Sequence, residues 1–215
     1  EHGALVFVKD GEDVLVDFHM VGTSTTVSLA LADGTYLLSV ESFDAAGNRS
    51  AQAEELVVTI DRTPPATPAA PDMLESSDSF DDVMGLFGPA VVGTDVDNIT
   101  NKMEPAFSGV AEPNATVRVW ALDDVTRTLT LIGEGVVGSD ESDLDPENGL
   151  GIWEITVEPL TDGGYSIFAE LEDAAGNVSI LSAPLPITID TVSPQRPTMQ
   201  LQATDDTGLS TMDDV

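Results

Sequence analysis

The pentapeptide Asp44-Ala45-Ala46-Gly47-Asn48 recurs unchanged as Asp173-Ala174-Ala175-Gly176-Asn177, and this repeated stretch decides how the rest of the chain is interpreted. Two further pairs of similar segments have the same spacing, because positions 36 and 165, 44 and 173, and 61 and 190 are each 129 apart. These pairs are 31–36 with 160–165 and 59–65 with 188–194. A constant offset across three motifs predicts whole domains repeated in tandem.

The segments between these motifs show the alternation of β-strands. Residues 116–122, 153–157 and 165–171 alternate between apolar and polar side chains with a period of two. Glycine, proline, aspartate and asparagine interrupt these runs at the spacing of a β-sandwich or barrel, and no window has a sustained helical period. The sequence therefore predicts an all-β chain.

In the second repeat we place strands near 105–111, 116–122, 128–137, 151–158, 164–171 and 178–189. Pro184 and Pro186 favour an interruption of the last strand, because proline cannot donate a ladder hydrogen bond and belongs on a sheet edge. We expect the aromatic core to consist of Trp120, Trp153, Tyr165 and Phe168.

Composition excludes several classes of function. The 215 residues include 39 acidic and 7 basic side chains, which give a formal charge of −32. This excess argues against nucleic acid and anionic membranes as partners, because both need clustered Lys and Arg. The chain has no cysteine and two histidines, His2 and His19, so thiolate and histidine chemistry is not expected. No stretch approaches the ~18 consecutive apolar residues of a membrane span, so membrane insertion is not expected.

The first repeat is shorter than the second at its start. Residues 4–9 align with 116–121, and nothing before them corresponds to 105–110. A sandwich that lacks its first strand exposes an unpaired sheet edge. Either the sequence is a piece of a longer chain, or a neighbouring chain supplies the strand.

The string Asp97-Asn98-Ile99-Thr100-Asn101, followed by 105–115, resembles the opening of a bacterial Ig-like repeat. The matching close consists of 160–163, 173–177 and Ile189-Asp190. The resemblance covers nearly all of the second repeat and most of the first. It is to repeats strung in long arrays in giant type I-secreted adhesins, including RTX and biofilm-associated adhesins.

The resemblance implies tandem Ig-like β-sandwich domains in an extended array, with calcium at the domain junctions. It implies a stalk or extender role at the bacterial cell surface, in adhesion or biofilm formation. The resulting domains are an Ig-like repeat that lacks its first strand (1–63), an acidic linker with an insertion (64–96), a complete Ig-like repeat (97–192), and a linker with the start of a third repeat (193–215). Two segments depart from the family, namely about 80–93 and the acidic insertion 139–148.

In an extended array the loop before the last strand lies at the N-terminal pole of its domain. Loop 173–177 should therefore meet Ile60-Asp61 and the linker, so that separate pieces of chain bring carboxylates to one junction. Such carboxylates repel, and Ca²⁺ accepts 6–8 oxygen ligands in irregular geometry, whereas Mg²⁺ demands an octahedron. The candidate ligands at the first junction are Asp61, Asp78, Asp95, Asp97, Asn98 and Asp173. Those at the second junction are Asp190, Asp205, Asp206, Asp213 and Asp214.

Two alternatives stay open at these acidic motifs. Asp-Ala-Ala-Gly-Asn is also a good turn, because its glycine can take positive φ and its aspartate can cap backbone amides. The segment 140–149 contains the alternation Asp143-x-Asp145-x-Glu147 of an EF-hand-like loop. Its glycine comes one position late and no Glu follows at the twelfth position, which favours a solvated acidic loop.

The sequence favours a structural module that extends an adhesin from the cell, with neighbouring Ig-like repeats of the same chain as its partners. Extracellular calcium modules bind at about 10⁻⁴–10⁻³ M, which fits a secreted location. The alternative is a ligand-binding module that recognises a host protein, glycan or surface through its acidic insertions. An enzyme is not expected, because the carboxylates lie in turn motifs that recur in both repeats. Low Lys with abundant Asp and Glu also marks salt-adapted surfaces.

Overall fold

The computed structural model describes residues 4–20, 26–78, 98–139 and 149–199. Every regular element in these ranges is a β-strand, which confirms the all-β prediction. The strands form three sheets, one in the first repeat and two in the second.

The first repeat forms a four-stranded antiparallel sheet in the order β2-β1-β3-β4. Its strands are β1 (Leu5–Asp10), β2 (Asp13–His19), β3 (Gly34–Phe43) and β4 (Leu56–Ile60). Gly11, at φ 54°, allows the tight turn between β1 and β2. The described residues of this repeat contain no second sheet, and the buried apolar residues among them are Ala4 and Val6.

The second repeat contains two sheets. Its three-stranded sheet, in the order β10-β7-β5, consists of β5 (Asp72–Met73), β7 (Ala106–Ala111) and β10 (Gly151–Thr156). Its five-stranded sheet, in the order β6-β12-β11-β8-β9, consists of β6 (Ile99–Thr100), β8 (Thr116–Asp123), β9 (Leu129–Val136), β11 (Gly163–Glu172) and β12 (Leu185–Ile189). β6 runs parallel to β12, and the other pairings are antiparallel.

The core of the second repeat lies between these two sheets. Alternate residues of β8 and β11, such as Val119 and Ile167, are fully buried on one side. Phe107 and Trp153 enter the same core from the three-stranded sheet. Full burial of one such large apolar side chain stabilises the fold by about 1.5–3 kcal/mol. The second repeat is therefore a β-sandwich, as predicted.

Two of the four predicted core aromatics lie elsewhere. Trp153 and Tyr165 are buried, but Trp120 and Phe168 are half-buried and lie opposite each other on the outer face of the five-stranded sheet. The prediction was wrong for Trp120 and Phe168 because side chains alternate strictly along a strand. Val119 and Ile167 take the inward positions beside them.

The first-repeat sheet corresponds to strands β9-β8-β11-β12 of the second repeat. β3 and β11 have the same length and start at Gly34 and Gly163, which are 129 apart. β4 and β12 show the same offset. The tandem spacing found in the sequence is therefore also a spacing of equivalent strands.

Cross-strand pairing corrects the alignment of the first strand. Leu5 pairs with Phe43, and Thr116 pairs with Glu172, which lies 129 residues after Phe43. Leu5 therefore corresponds to Thr116, whereas the sequence alignment set Ala4 against Thr116 and was wrong by one residue. Such a slip would turn every side chain of the strand to the other face.

Segment 72–78, which the sequence analysis assigned to the linker, packs on the second repeat. β5 pairs with β7, and Met73 is buried in the core of this repeat. The Ala106 amide donates to the Ser77 hydroxyl at 2.9 Å. The linker residues closest to β6 and β7 are thus part of the sandwich.

The last predicted strand is shorter than expected. β12 begins at Leu185, so the interruption predicted at Pro184 is confirmed. The interruption predicted at Pro186 was wrong, because Pro186 lies within β12, opposite Ser166. Proline has no amide hydrogen, and the nitrogen of Pro186 faces β6. Because β6 pairs only with Thr188 and Ile189, no hydrogen bond between β6 and β12 is lost at Pro186.

The close approach of β7 and β10 depends on Gly109. A Cβ at this position would lie 2.7 Å from Cζ2 of Trp153, which pairs with Gly109 across the ladder. We expect Gly109→Ala to lower the free energy of unfolding of the second repeat by about 1–3 kcal/mol, because overpacking forces the buried indole to move. Urea unfolding followed by Trp fluorescence measures this. The neighbouring Val110→Ala, on the exposed face, is the control; an equal loss in both variants would contradict the steric explanation.

Candidate functional site at the repeat junction

The two Asp-Ala-Ala-Gly-Asn motifs form the same turn. Asp173 Oδ1 accepts hydrogen bonds from the amides of Ala175 at 2.8 Å and Asn177 at 2.9 Å, and its Oδ2 accepts from the Asn177 side-chain amide at 2.9 Å. Gly176 takes φ 87°, a conformation that favours glycine. The structure therefore confirms the turn interpretation of this motif.

The first repeat contains the same turn with the equivalent hydrogen bonds. Asp44 Oδ1 accepts from the amides of Ala46 at 2.9 Å and Asn48 at 2.8 Å, and Oδ2 accepts from the Asn48 side chain at 2.7 Å. The side-chain hydrogen bond from the asparagine is the main cause that lowers the pKa of Asp44 and of Asp173 below the ordinary aspartate value. Backbone donors act in the same direction, because they stabilise the charged carboxylate.

A second aspartate anchors the chain where each repeat ends. Asp33 accepts from the Arg62 amide at 3.3 Å and from its guanidinium at 2.7 Å. Its counterpart Asp162 accepts from the amide of Thr191 at 3.1 Å and from its hydroxyl at 2.8 Å. Sequence reasoning gave these two aspartates no role, although they belong to the repeated 31–36 and 160–165 motifs that could have signalled one.

Asp61 and Asp190, two predicted calcium ligands, occupy equivalent positions directly after β4 and β12. Asp61 Oδ1 accepts the Thr63 amide at 2.9 Å, and Asp190 Oδ1 accepts the Val192 amide at 2.9 Å. Each carboxylate thus turns the chain at the end of its last strand. Together with Asp33 and Asp162, they fix the first residues of each linker.

The repeats contact each other between the end of the first and the turn of the second. The Asn177 side-chain amide donates to the backbone carbonyl of Asp61 at 3.2 Å. A groove of about 560 Å³ adjoins this contact. It is lined by Thr59, Asp61, Glu112, Pro113, Asn114, Ala115, Asp173, Ala174 and Ala175. The structure thus brings the predicted residues Asp61 and Asp173 to one groove and adds Glu112, which the sequence analysis did not select.

Asp78 and Asn98 form a separate pair on the β5–β6 side of the sandwich. Asp78 is buried, and its Oδ2 accepts the Asn98 amide at 3.2 Å. Asn98 has φ 58°, and its carbonyl accepts the Thr188 amide at 2.9 Å. Neither residue lines the junction groove. They help to close the sandwich beside β12.

Six predicted ligands lie outside the described residues, as does most of the EF-hand-like segment 140–149. These six are Asp95, Asp97, Asp205, Asp206, Asp213 and Asp214. Within the described ranges, no three Asp, Glu or His side chains are grouped so as to hold a metal ion. The groove therefore offers oxygen donors of the type that calcium uses, but the described residues alone do not complete a cage.

Comparison with known proteins identifies the class of the second repeat. The sequence model of the family described as Bacterial Ig-like domain matches residues 92–191, just under half of the chain. The second repeat is therefore similar to a bacterial Ig-like domain. Curated proteins give no match.

Among solved structures, one similar chain belongs to the fibronectin(III)-like modules of Clostridium thermocellum CbhA, with 12% identity and a TM-score of 0.39. The alignment covers 91% of this chain and 83% of that one. Within the described residues, no helix has the length and apolar character needed to cross a membrane.

Removal of the asparagine from one turn should change the pKa of one aspartate. We expect Asn48→Ala to raise the pKa of Asp44 towards its ordinary value, because the main hydrogen bond to the carboxylate is lost. A lowered folded pKa stabilises the turn above the unfolded pKa of ~3.9, and that stabilisation disappears as the pH falls through the folded value. Carboxyl ¹³C NMR titration measures both sites, with Asp173 as the internal control. An unchanged Asp44 pKa would contradict the assignment.

Proposed function

We propose that this chain is a spacer segment of a bacterial cell-surface adhesin. In this proposal, tandem Ig-like repeats extend an adhesive region away from the cell and support adhesion or biofilm formation. The observation that carries the proposal is the direct contact between consecutive repeats, in which the Asn177 side chain donates to the Asp61 carbonyl. A contact at the junction favours a defined angle between neighbouring repeats over a freely jointed chain.

The hydrogen bonds that fix the first residues of each linker support the same role. Asp33 holds Arg62, and Asp61 holds Thr63, so the chain leaves the first repeat in a fixed direction. Asp162 and Asp190 do the same at the end of the second repeat. Because the chain leaves both repeats in the same way, successive junctions of a longer array would have similar geometry.

We further propose that Ca²⁺ stiffens the first junction. Asp61, Glu112 and Asp173 line one groove, and a bound divalent cation would reduce the repulsion between their negative charges. Oxygen donors on loops suit Ca²⁺ better than Mg²⁺, which demands octahedral geometry. The proposed ion would take further ligands from linker aspartates such as Asp95 and Asp97. Extracellular calcium modules bind at about 10⁻⁴–10⁻³ M, so we propose a secreted location for a site with such weak affinity.

The alternative function, recognition of a host protein or glycan, depends on insertions that lie largely outside the described residues. No contact in the described part of the chain favours it over the spacer role. The spacer proposal therefore takes precedence.

Small-angle X-ray scattering across a calcium titration, with a chelator control, tests the spacer proposal. We expect calcium to replace a broad distribution of end-to-end distances with a single extended one, because the ion bridges carboxylates of two repeats. An identical scattering profile with calcium and with chelator would remove calcium from the proposal.

Asp61→Asn and Asp190→Asn form a matched pair for this measurement. Both aspartates accept one amide hydrogen bond two residues along, but only Asp61 lines the junction groove. We expect Asp61→Asn to raise the calcium concentration needed for stiffening by about tenfold, which corresponds to 1.4 kcal/mol of lost binding free energy. Asp190→Asn should leave that concentration unchanged. Equal effects would show that the turn, rather than an ion at the junction, controls stiffness.

A further inference from the structure

The linker between the two repeats contains prolines whose burial repeats every third residue. Pro65, Pro68 and Pro71 are buried, whereas the residues between them, 66–67 and 69–70, are exposed. A polyproline II helix has three residues per turn, so every third side chain lies on the same face. The pattern therefore indicates a polyproline II segment with one face packed against the protein. We call residues 64–71 the proline segment.

The sequence of the proline segment favours this conformation. Each proline has φ fixed at about −65°, and the residue before a proline is restricted to extended conformations. Only Ala66 and Ala69 escape both rules. Within the described ranges, no hydrogen bond reaches the backbone of residues 64–71, as expected for polyproline II, which has no internal hydrogen bonds.

Comparison of the two linkers shows which repeat buries these prolines. Pro194 and Pro197 lie 129 residues after Pro65 and Pro68, so they hold the equivalent positions after the second repeat. Both are exposed, although the repeat before them is equivalent to the first. The repeat that precedes a linker therefore does not by itself bury its prolines. For Pro65 and Pro68, this leaves the second repeat as the surface that covers them.

Both ends of the proline segment are held at the second repeat. Before the segment, Asp61 lines the junction groove together with Glu112, and its carbonyl accepts the Asn177 side-chain amide. After the segment, β5 pairs with β7, and the Leu74 amide donates to the Ala106 carbonyl at 3.0 Å. Because β5 is antiparallel to β7, the line of β5 continued backwards passes the end of β7 towards Glu112.

Proline suits a position beside this edge of β7. β5 pairs only with Phe107 and Ser108, so residues 109–111 have no strand partner on this side within the described part of the chain. Because proline has no amide hydrogen, it cannot extend the ladder there. Prolines beside an open edge cover it without adding a strand that a further chain could pair with.

We propose that the second repeat carries a docking surface for a polyproline II segment, and that the proline segment occupies it and fixes the angle between the repeats without an ion. Known grooves for Pro-x-x-Pro segments use the same physics, because polyproline II is ordered before it binds and loses little entropy. Docking leaves only the few residues between Asp61 and Pro65 as a free joint. This stiffening does not depend on the adhesin role or on calcium.

The distance between two spin labels, one on each repeat, tests the proposal. The chain has no cysteine, so Asp17→Cys and Glu154→Cys, both at exposed positions, place single labels on the first and second repeats. Double electron–electron resonance then gives the distribution of distances between them. All samples contain a chelator, which separates this test from the calcium proposal. We expect a narrow distribution in the labelled chain that carries no further substitution.

Two matched variants move the same three negative charges by one residue. The buried-face variant carries Pro65→Asp, Pro68→Asp and Pro71→Asp, and the exposed-face variant carries Pro64→Asp, Thr67→Asp and Ala70→Asp. Docked polyproline II of this length spans about 25 Å, whereas a flexible chain of eight residues averages about 16 Å with a wide spread. We expect the buried-face variant to broaden the distance distribution by about twofold. The exposed-face variant should leave the distribution unchanged.

Urea unfolding distinguishes docking from the intrinsic stiffness of proline. Both tryptophans of the chain, Trp120 and Trp153, lie in the second repeat, so their fluorescence reports the unfolding of that repeat. The buried-face variant should lower the urea midpoint by about 1 M, because a carboxylate is costly to bury and undocking removes apolar contacts. The exposed-face variant should keep the midpoint. Pro68→Asp alone provides the same comparison, against Pro64→Asp, if the triple variant does not fold.

Three results would overturn the proposal. Broadening by the buried-face variant without a lower urea midpoint would show that the prolines stiffen the linker without docking. Equal effects of the two variants would show that burial of the prolines has no role. A distribution that is broad in chelator and narrow in calcium, in the labelled chain without proline substitutions, would leave the ion as the source of stiffness.

Discussion

A β-sheet with one apolar face is stable in water only if another layer covers that face, and this requirement underlies the organisation of both repeats. In the second repeat the cover is a three-stranded sheet that brings Phe107 and Trp153 onto the five-stranded sheet. The close approach depends on glycines, because a Cβ at Gly109 would meet the indole of Trp153 and a Cβ at Gly133 would meet Ile155. In the first repeat, the described residues form one sheet.

On the outer faces of the two repeats, equivalent positions carry different kinds of side-chain pair. In the second repeat, Arg118 forms an ion pair with Glu172 across β8 and β11. The equivalent residues of the first repeat are Phe7 and Phe43, whose rings meet edge to face with centroids 5.6 Å apart. Both pairs join the same two strands at the same register. Surface chemistry therefore varies between repeats while the backbone frame is kept.

The acidic side chains have two roles in this structure, in turns and at the junction groove. Asp44, Asp173, Asp33 and Asp162 build turns and anchor chain ends, and their carboxylates accept hydrogen bonds from nearby amides. Asp61, Glu112 and Asp173 also gather at the junction groove. Because Asp173 serves both purposes, the turn of the second repeat also contributes negative charge to the junction groove. Counting carboxylates alone would not separate these roles.

The sequence by itself determined the repeat, the all-β class and five of the strands of the second repeat, because period-two alternation and turn residues act locally. It also identified the turn at 173–177 and its meeting with Asp61, because in a tandem array the loop before the last strand lies at the pole that faces the preceding repeat. Only the tertiary structure decided the face on which Trp120 and Phe168 lie, the register of β1, the addition of 72–78 to the sandwich, and the separation of Asp78 and Asn98 from the groove. These features depend on pairing between distant strands, where a shift of one residue reverses inside and outside, and local sequence does not fix that shift.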